Sequence, residues 1–210
     1  MLIDFNNLFI HIPKTGGTSI GNVLSYPDHF PDKHMSARDY IGYFGKLKYH
    51  KLFKFTVVRN PWDRLVSLFE HKRKFNLQKF DSGRKTSRRE YEYRCLKNGD
   101  FRRWVKNIVM RLNFSEKSVN AYYGPSNQTY MLINNKKKIS VDYICRFENL
   151  EEDFRFVAKN HLKLKFEVFP HLLKTDRKPY ERYYDNRTRK MVKEFFRDDI
   201  ENFNYSFGDK

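Results

Sequence analysis

The 210-residue chain predicts a three-layer α/β fold, a mainly parallel central sheet flanked by helices. Three observations carry this expectation. Apolar runs rich in β-branched and aromatic residues, at residues 8–12 and 52–58, read as buried strands. Each run passes directly into a segment whose apolar residues recur at helical spacing. The first junction, Pro13 to Gly17, is a turn of the kind that receives a phosphate.

In the first unit, Leu8, Phe9, Ile10 and Ile12 make the strand, Pro13 cannot continue it, and Ile20, Val23 and Leu24 line one helical face. Gly16 and Gly17 allow a sharp turn and let backbone N–H groups approach an anion closely. Thr18 and Ser19 fall in the first helical turn, where unpaired N–H groups and the helix dipole favour negative charge, and Lys14 adds a cation. The order differs from the nucleoside-triphosphate loop GxxxxGK[ST], in which the lysine follows the glycines. A glycine pair after a strand is also an ordinary turn, and this stretch alone leaves both readings open.

Residues 26–35 (YPDHFPDKHM) carry two prolines, two aspartates and two histidines and read as a loop. His34 stands near its end, where a lone histidine is ordinarily a surface residue. Residues 52–58 (LFKFTVV) form the second strand. Asn60 then suits an N-cap, Pro61 the first helical position and Asp63 the third, and Trp62, Leu65, Val66 and Phe69 repeat at i, i+3, i+4 and i+7. Ser67 lies one turn beyond Asp63, off the apolar face. Arg59 and Ser67 could converge on one anion; equally, Arg59 could pair locally with Asp63.

Residues 72–106 are helical by composition, interrupted by an exposed loop at 81–89 (DSGRKTSRR). A further helix carries Phe101, Trp104, Val105 and Ile108 on one face, and residues 122–128 form another loop. Residues 130–133 and 139–147 read as two extended segments, the second being the better strand. Leu150, Phe154 and Val157 mark a helix, residues 170–179 (PHLLKTDRKP) a basic loop, and Asp185 begins a last helix through Val192, Phe195 and Phe196. No repeat or long linker divides the chain, so residues 1–210 are expected to form a single domain.

The formal charge is +17 and the pI about 9.8, so the chain should be drawn to polyanions. Residues 71–106 hold 13 Lys or Arg against four acids, +9. Such a run is either a solvated helical surface or a polymer groove. The two cysteines, Cys95 and Cys145, fit no metal spacing or disulfide framework and are expected as unpaired thiols in a reducing compartment. No segment has the length and apolarity to span a bilayer, and the N-terminal run lacks a basic region before it. A soluble, cytoplasmic protein is expected, with no membrane span.

With FIHIPKTGGTS and FTVVRNPWDRLVS both in view, about forty residues apart, the sequence resembles the sulfotransferases that use 3'-phosphoadenosine 5'-phosphosulfate (PAPS), and within them the carbohydrate branch of heparan and chondroitin sulfotransferases. The blocks VDYICRFENLEED, PHLLKTDR and YYDNRTRKMVKEFFRDDIENFNYSF are similar to later blocks of that family. The resemblance implies a P-loop-like fold in which Lys14, Thr15, Gly16, Gly17, Thr18 and Ser19 form the 5'-phosphosulfate loop. It implies that Arg59 and Ser67 bind the 3'-phosphate and that Lys174 and Thr175 contact donor or acceptor. His34 resembles the catalytic base of the heparan branch, with His29, His50 and Asp32 as alternatives, and Lys14 would neutralise charge on the leaving 3',5'-diphosphoadenosine (PAP). His11 reads as structural. No metal is needed. The implied acceptor is a hydroxylated molecule, a saccharide such as an acidic glycan, with no specific nucleic acid. A non-catalytic polyanion-binding module and an ATP-dependent phosphotransferase are the competing readings; the missing GK[ST] order and the lack of an acidic strand end for magnesium weigh against the second.

Overall fold

A computed structural model describes residues 3–25, 34–81, 87–113, 127–170, 172 and 176–209. In chain order they form β1 (Asn7–Ile10), α1 (Gly17–Val23), α2 (Ala37–Phe44), α3 (Lys46–Lys51), β2 (Phe53–Val58), α4 (Pro61–Asp81), α5 (Ser87–Lys97) and α6 (Phe101–Asn113). There follow α7 (Gln128–Leu132), β3 (Tyr143–Arg146), α8 (Leu150–Val157), α9 (Asn186–Phe195) and α10 (Arg197–Phe203). The fold is α/β, with a parallel sheet and flanking helices, as expected. The chain divides into two compact units: residues 1–59 and 120–174 with Lys210, and residues 60–119 with 175–209.

The first unit holds the sheet, in the order β1-β2-β3 with both pairings parallel. Ile10 stands opposite Thr56, and Val58 opposite Arg146, so β2 and β3 end together and β1 ends two residues earlier. Thr56 Oγ1 donates to the Ile10 carbonyl at 2.8 Å, which satisfies a buried hydroxyl inside the sheet. Parallel strands need crossovers, and helices supply them. One face of the sheet packs Phe9, Phe55, Val57 and Cys145 against Ile20 of α1 and Leu150, Phe154 and Val157 of α8. Phe9 and Phe55 stack at 4.9 Å between centroids. Lys54 is buried in β2; Asp142 meets its ammonium at 2.8 Å and its backbone N–H at 2.7 Å.

The second unit is helical. Trp62, Leu65, Val66 and Phe69 of α4 meet Leu96 of α5, Phe101, Trp104, Val105 and Val109 of α6, and Val192 of α9. Asn60 caps α4 as the sequence suggests: Trp62 N–H donates to its Oδ1 at 3.1 Å, and Arg64 N–H to its carbonyl at 2.8 Å. In the basic stretch, Lys72 pairs with Glu92 at 2.6 Å and Arg94 with Glu90 at 3.0 Å. Of its four acids, Glu92 therefore ties α4 to α5, and Glu90 pairs within α5.

Three expectations change. The extended segment expected at residues 130–133 is instead mostly helix, α7, because Asn127 caps it, accepting from Tyr130 N–H at 3.2 Å. Only Ile133 and Ile139 pair, as an isolated antiparallel bridge. The interruption between α4 and α5 is shorter than expected, since α4 runs through Asp81 and α5 starts at Ser87; residues 82–86 lie outside the described residues. Asp185 does cap a helix, through a reciprocal bond pair with Thr188, but the chain breaks at Phe196 and starts α10 rather than ending in one helix. Cys95 and Cys145 are both buried free thiols, and no described helix is long and apolar enough to cross a membrane.

Candidate functional site

The turn between β1 and α1 is built on two left-handed residues, Lys14 at φ 69° and Gly16 at φ 85°. For lysine that conformation is uphill and persists only where its surroundings fix it. Alternating handedness directs successive N–H groups toward one side, the geometry of an anion nest. The helix that follows makes its first backbone bond from Ser19 N–H to the Gly16 carbonyl, at 3.0 Å. The N–H groups of Gly17 and Thr18 precede that first bond, as helix geometry requires.

Both glycines are dictated by neighbours as well as by backbone angle. A Cβ on Gly16 would lie 2.5 Å from Leu150 Cδ2, and one on Gly17 would run into the His11 imidazole. His11 is buried, stacks on Phe9 at 5.5 Å and tilts against His34 at 4.6 Å between centroids. His34 is thereby brought to the loop through one intervening ring. Its Nδ1 lies 3.2 Å from the His11 carbonyl oxygen, which can only accept, so Nδ1 carries the proton and donates. In the neutral ring Nε2 then holds the lone pair.

Arg59 ends β2 and is buried. Its Nη1 donates to the Lys14 carbonyl at 3.0 Å, and its guanidinium lies 3.7 Å over the Phe147 ring. Gln128, at the start of α7 and fully buried, clasps the Arg59 backbone in both directions: Arg59 N–H donates to Gln128 Oε1 and Gln128 Nε2 donates to the Arg59 carbonyl, each at 2.9 Å. Two cations are thus held side by side in a poorly solvated place. Burial first, and the Arg59 charge second, lower the Lys14 pKa from 10.5 to about 8. An anion here would relieve both effects.

Not every residue of the loop offers its side chain. Thr15 is buried and its Oγ1 donates to the Ile12 carbonyl at 2.8 Å, so this hydroxyl shapes the turn. Ser19 Oγ accepts from Leu172 N–H at 3.1 Å, tying the late basic segment to α1. Lys174 and Thr175, the residues expected to act from that segment, lie outside the described residues, as do His29 and Asp32. His50 is exposed on α3, edge-on to Tyr49 at 6.0 Å. Ser67 is partly exposed on α4, in the second unit, where Asp63 forms an ion pair with Arg177. Sequence reading missed Gln128 and the ring contact of His11 with Gly17. The only trace of the first was the Asn-Gln pair opening α7, and nothing local announced the second. Among the described residues no cluster of His, Cys, Asp or Glu could hold a metal ion.

No curated protein and no solved structure matches the chain. The model of the sulfotransferase family matches residues 4–206, which take in the strand–turn–helix of Lys14, the strand end of Arg59 and nearly all of both units. The chain therefore belongs to the sulfotransferase family, and its chemistry is sulfuryl transfer.

Proposed function

We propose that this chain moves the sulfuryl group of PAPS to a hydroxyl of a carbohydrate acceptor. The observation that carries the reading is the pairing of Lys14 and Arg59 at one glycine turn, with the Lys14 ammonium so destabilised that its pKa falls to about 8. Two close, partly desolvated cations suit a donor with several negative charges. In this reading the loop from Lys14 to Ser19 takes the 5'-phosphosulfate through backbone N–H groups. Arg59 takes the 3'-phosphate, since a planar guanidinium can hold an oxyanion through two N–H groups. Lys174 and Thr175 complete the donor or acceptor contacts.

His34 is the proposed base. Its Nδ1–H is directed at the His11 carbonyl, which leaves Nε2 to take the acceptor proton. The acceptor oxygen then bonds to sulfur as the bond from sulfur to the phosphate oxygen breaks, PAP departs, and Lys14 stabilises the charge growing on that oxygen.

Calorimetric titration with PAP, ATP and 5'-AMP tests the donor, on the native chain and on Lys14→Ala and Arg59→Ala. Binding of PAP in preference to ATP, weakened in both variants, supports the reading, and labelled PAPS then reports transfer to saccharides. His34→Ala should lose roughly two to four decades of rate with PAP binding nearly intact. A preference for ATP would favour phosphotransfer, and salt-sensitive polyanion binding indifferent to PAP would favour a non-catalytic module.

A further inference from the structure

Arg38 lies four residues after His34, in the first turn of α2. A cation there opposes the helix dipole, which favours negative charge at that end. Asp39, the nearest acid in sequence, is occupied by the helix cap: its Oδ2 accepts from Ser36 N–H at 2.8 Å and from Ser36 Oγ at 2.7 Å. The Arg38 guanidinium instead lies 4.1 Å over the ring of Tyr130, on α7. Its Nη2 is buried without a hydrogen-bond partner. Among the described residues no carboxylate forms an ion pair with Arg38. An enclosed, charged donor with no acceptor is costly, and the Tyr130 face offsets only part of that cost.

Both elements that hold this pair also touch the candidate donor site. His34 precedes α2 and rests on His11, and Gln128, two residues before Tyr130, clasps Arg59. By chain length alone Arg38 and His34 lie within about 14 Å, close enough for one oligosaccharide to reach both. Tyr130 keeps 41 % of its surface exposed, so part of the stack faces solvent.

We propose that Arg38, seated on Tyr130, selects the acceptor by binding an oxyanion carried on the saccharide, a carboxylate or a sulfate, while a hydroxyl of the same molecule is presented to His34. This deepens the sulfuryl-transfer reading and rests on it. Arg38 is a specificity residue; it takes no part in the proton or sulfuryl transfer. A guanidinium stacked on an aromatic face is oriented for planar, bidentate recognition, which lysine would not reproduce.

The test uses the full chain with labelled PAPS and three oligosaccharides of equal length: one bearing uronic acid, one bearing sulfate and one neutral. Direct binding of each is measured alongside transfer. The native chain should prefer one or both anionic acceptors over the neutral one by at least tenfold in kcat/KM. Arg38→Gln should lose that preference, chiefly through KM, while leaving the neutral acceptor within about twofold and PAP binding unchanged; Arg38→Lys should recover only part. Loss confined to the uronate or to the sulfated acceptor identifies which oxyanion is read. Equal loss on charged and neutral acceptors with PAP binding intact overturns the inference, as does an absence of both binding and transfer with every anionic saccharide. Failure of the native chain to bind PAP overturns the parent reading instead.

Discussion

Lys14 should take up a proton when the donor-site anion binds, and this can be measured without any acceptor. Its pKa in the free protein is about 8, lowered by burial and then by Arg59. A bound phosphate supplies the missing counter-charge and returns the pKa toward 10.5, the unperturbed value. From these two values, the free ammonium is roughly 90 % protonated at pH 7 and about 10 % at pH 9, while the bound form stays nearly fully protonated at both. Binding of PAP should therefore take up about 0.1 proton at pH 7 and about 0.9 at pH 9, and affinity should fall about tenfold, or about 1.4 kcal/mol, across that interval. At pH 9 the phosphates of PAP are fully ionised and add nothing, whereas at pH 7, with second pKa values near 6, each gives up to about 0.1 proton on binding, so the proton count is read at pH 9. Titration calorimetry in two buffers of different ionisation enthalpy reads the proton count directly, and Lys14→Met should reduce it to near zero. An affinity that does not change between pH 7 and 9, or the same uptake in Lys14→Met, would refute the assignment of a strained ammonium to this turn.

The same shift has a consequence for stability. Because the folded pKa lies below the unfolded one, the cost of charging Lys14 is fully present below pH 8 and disappears as pH rises to 10.5. Lys14→Met should accordingly gain about 2–3 kcal/mol over the native chain at pH 7 in urea unfolding, and the difference should vanish near pH 10.5. Gly17→Ala should weaken PAP binding at least tenfold and lower the thermal midpoint, because the new Cβ displaces the His11 ring; adding His11→Ala should restore part of both, and strict additivity in that cycle would show that the two do not touch. Gln128→Ala leaves the buried Arg59 N–H and carbonyl without their clasp and should cost about 2–4 kcal/mol by chemical denaturation. Asp142→Ala exposes the buried Lys54 charge to an unpaired interior and should destabilise by about 2–4 kcal/mol, whereas Lys54→Met in the same background should recover most of the loss.

Much of this protein was legible locally. The strands beginning near Leu8 and Leu52 are apolar on consecutive residues because both faces of a parallel sheet are covered, and such runs are visible without any tertiary information. The Asn60-Pro61 start of α4 and the Asp185 cap of α9 are backbone chemistry of two or three residues. The cation and glycines of the first turn likewise stand together in sequence, so the turn from β1 into α1 could be read there. Residues 128–132 could not: their apolar and β-branched content suits a strand, and the cap that makes them a helix outweighs it only because the turn also buries Gln128 against Arg59.

What the sequence determined by itself was therefore the two strand–turn–helix units that open with β1 and β2, and the family, since each depends on residues adjacent in the chain. Only the tertiary structure decided which groups stand against one another. It set Arg59 beside Lys14 across 45 positions, which lowers the lysine pKa, and rested His34 on His11 and His11 on Gly17, which gives the second glycine its steric reason. It also left Arg38 over Tyr130 with no carboxylate among the described residues paired to it. Desolvation and Coulomb interaction depend on distances through space, and no spacing along the chain encodes them.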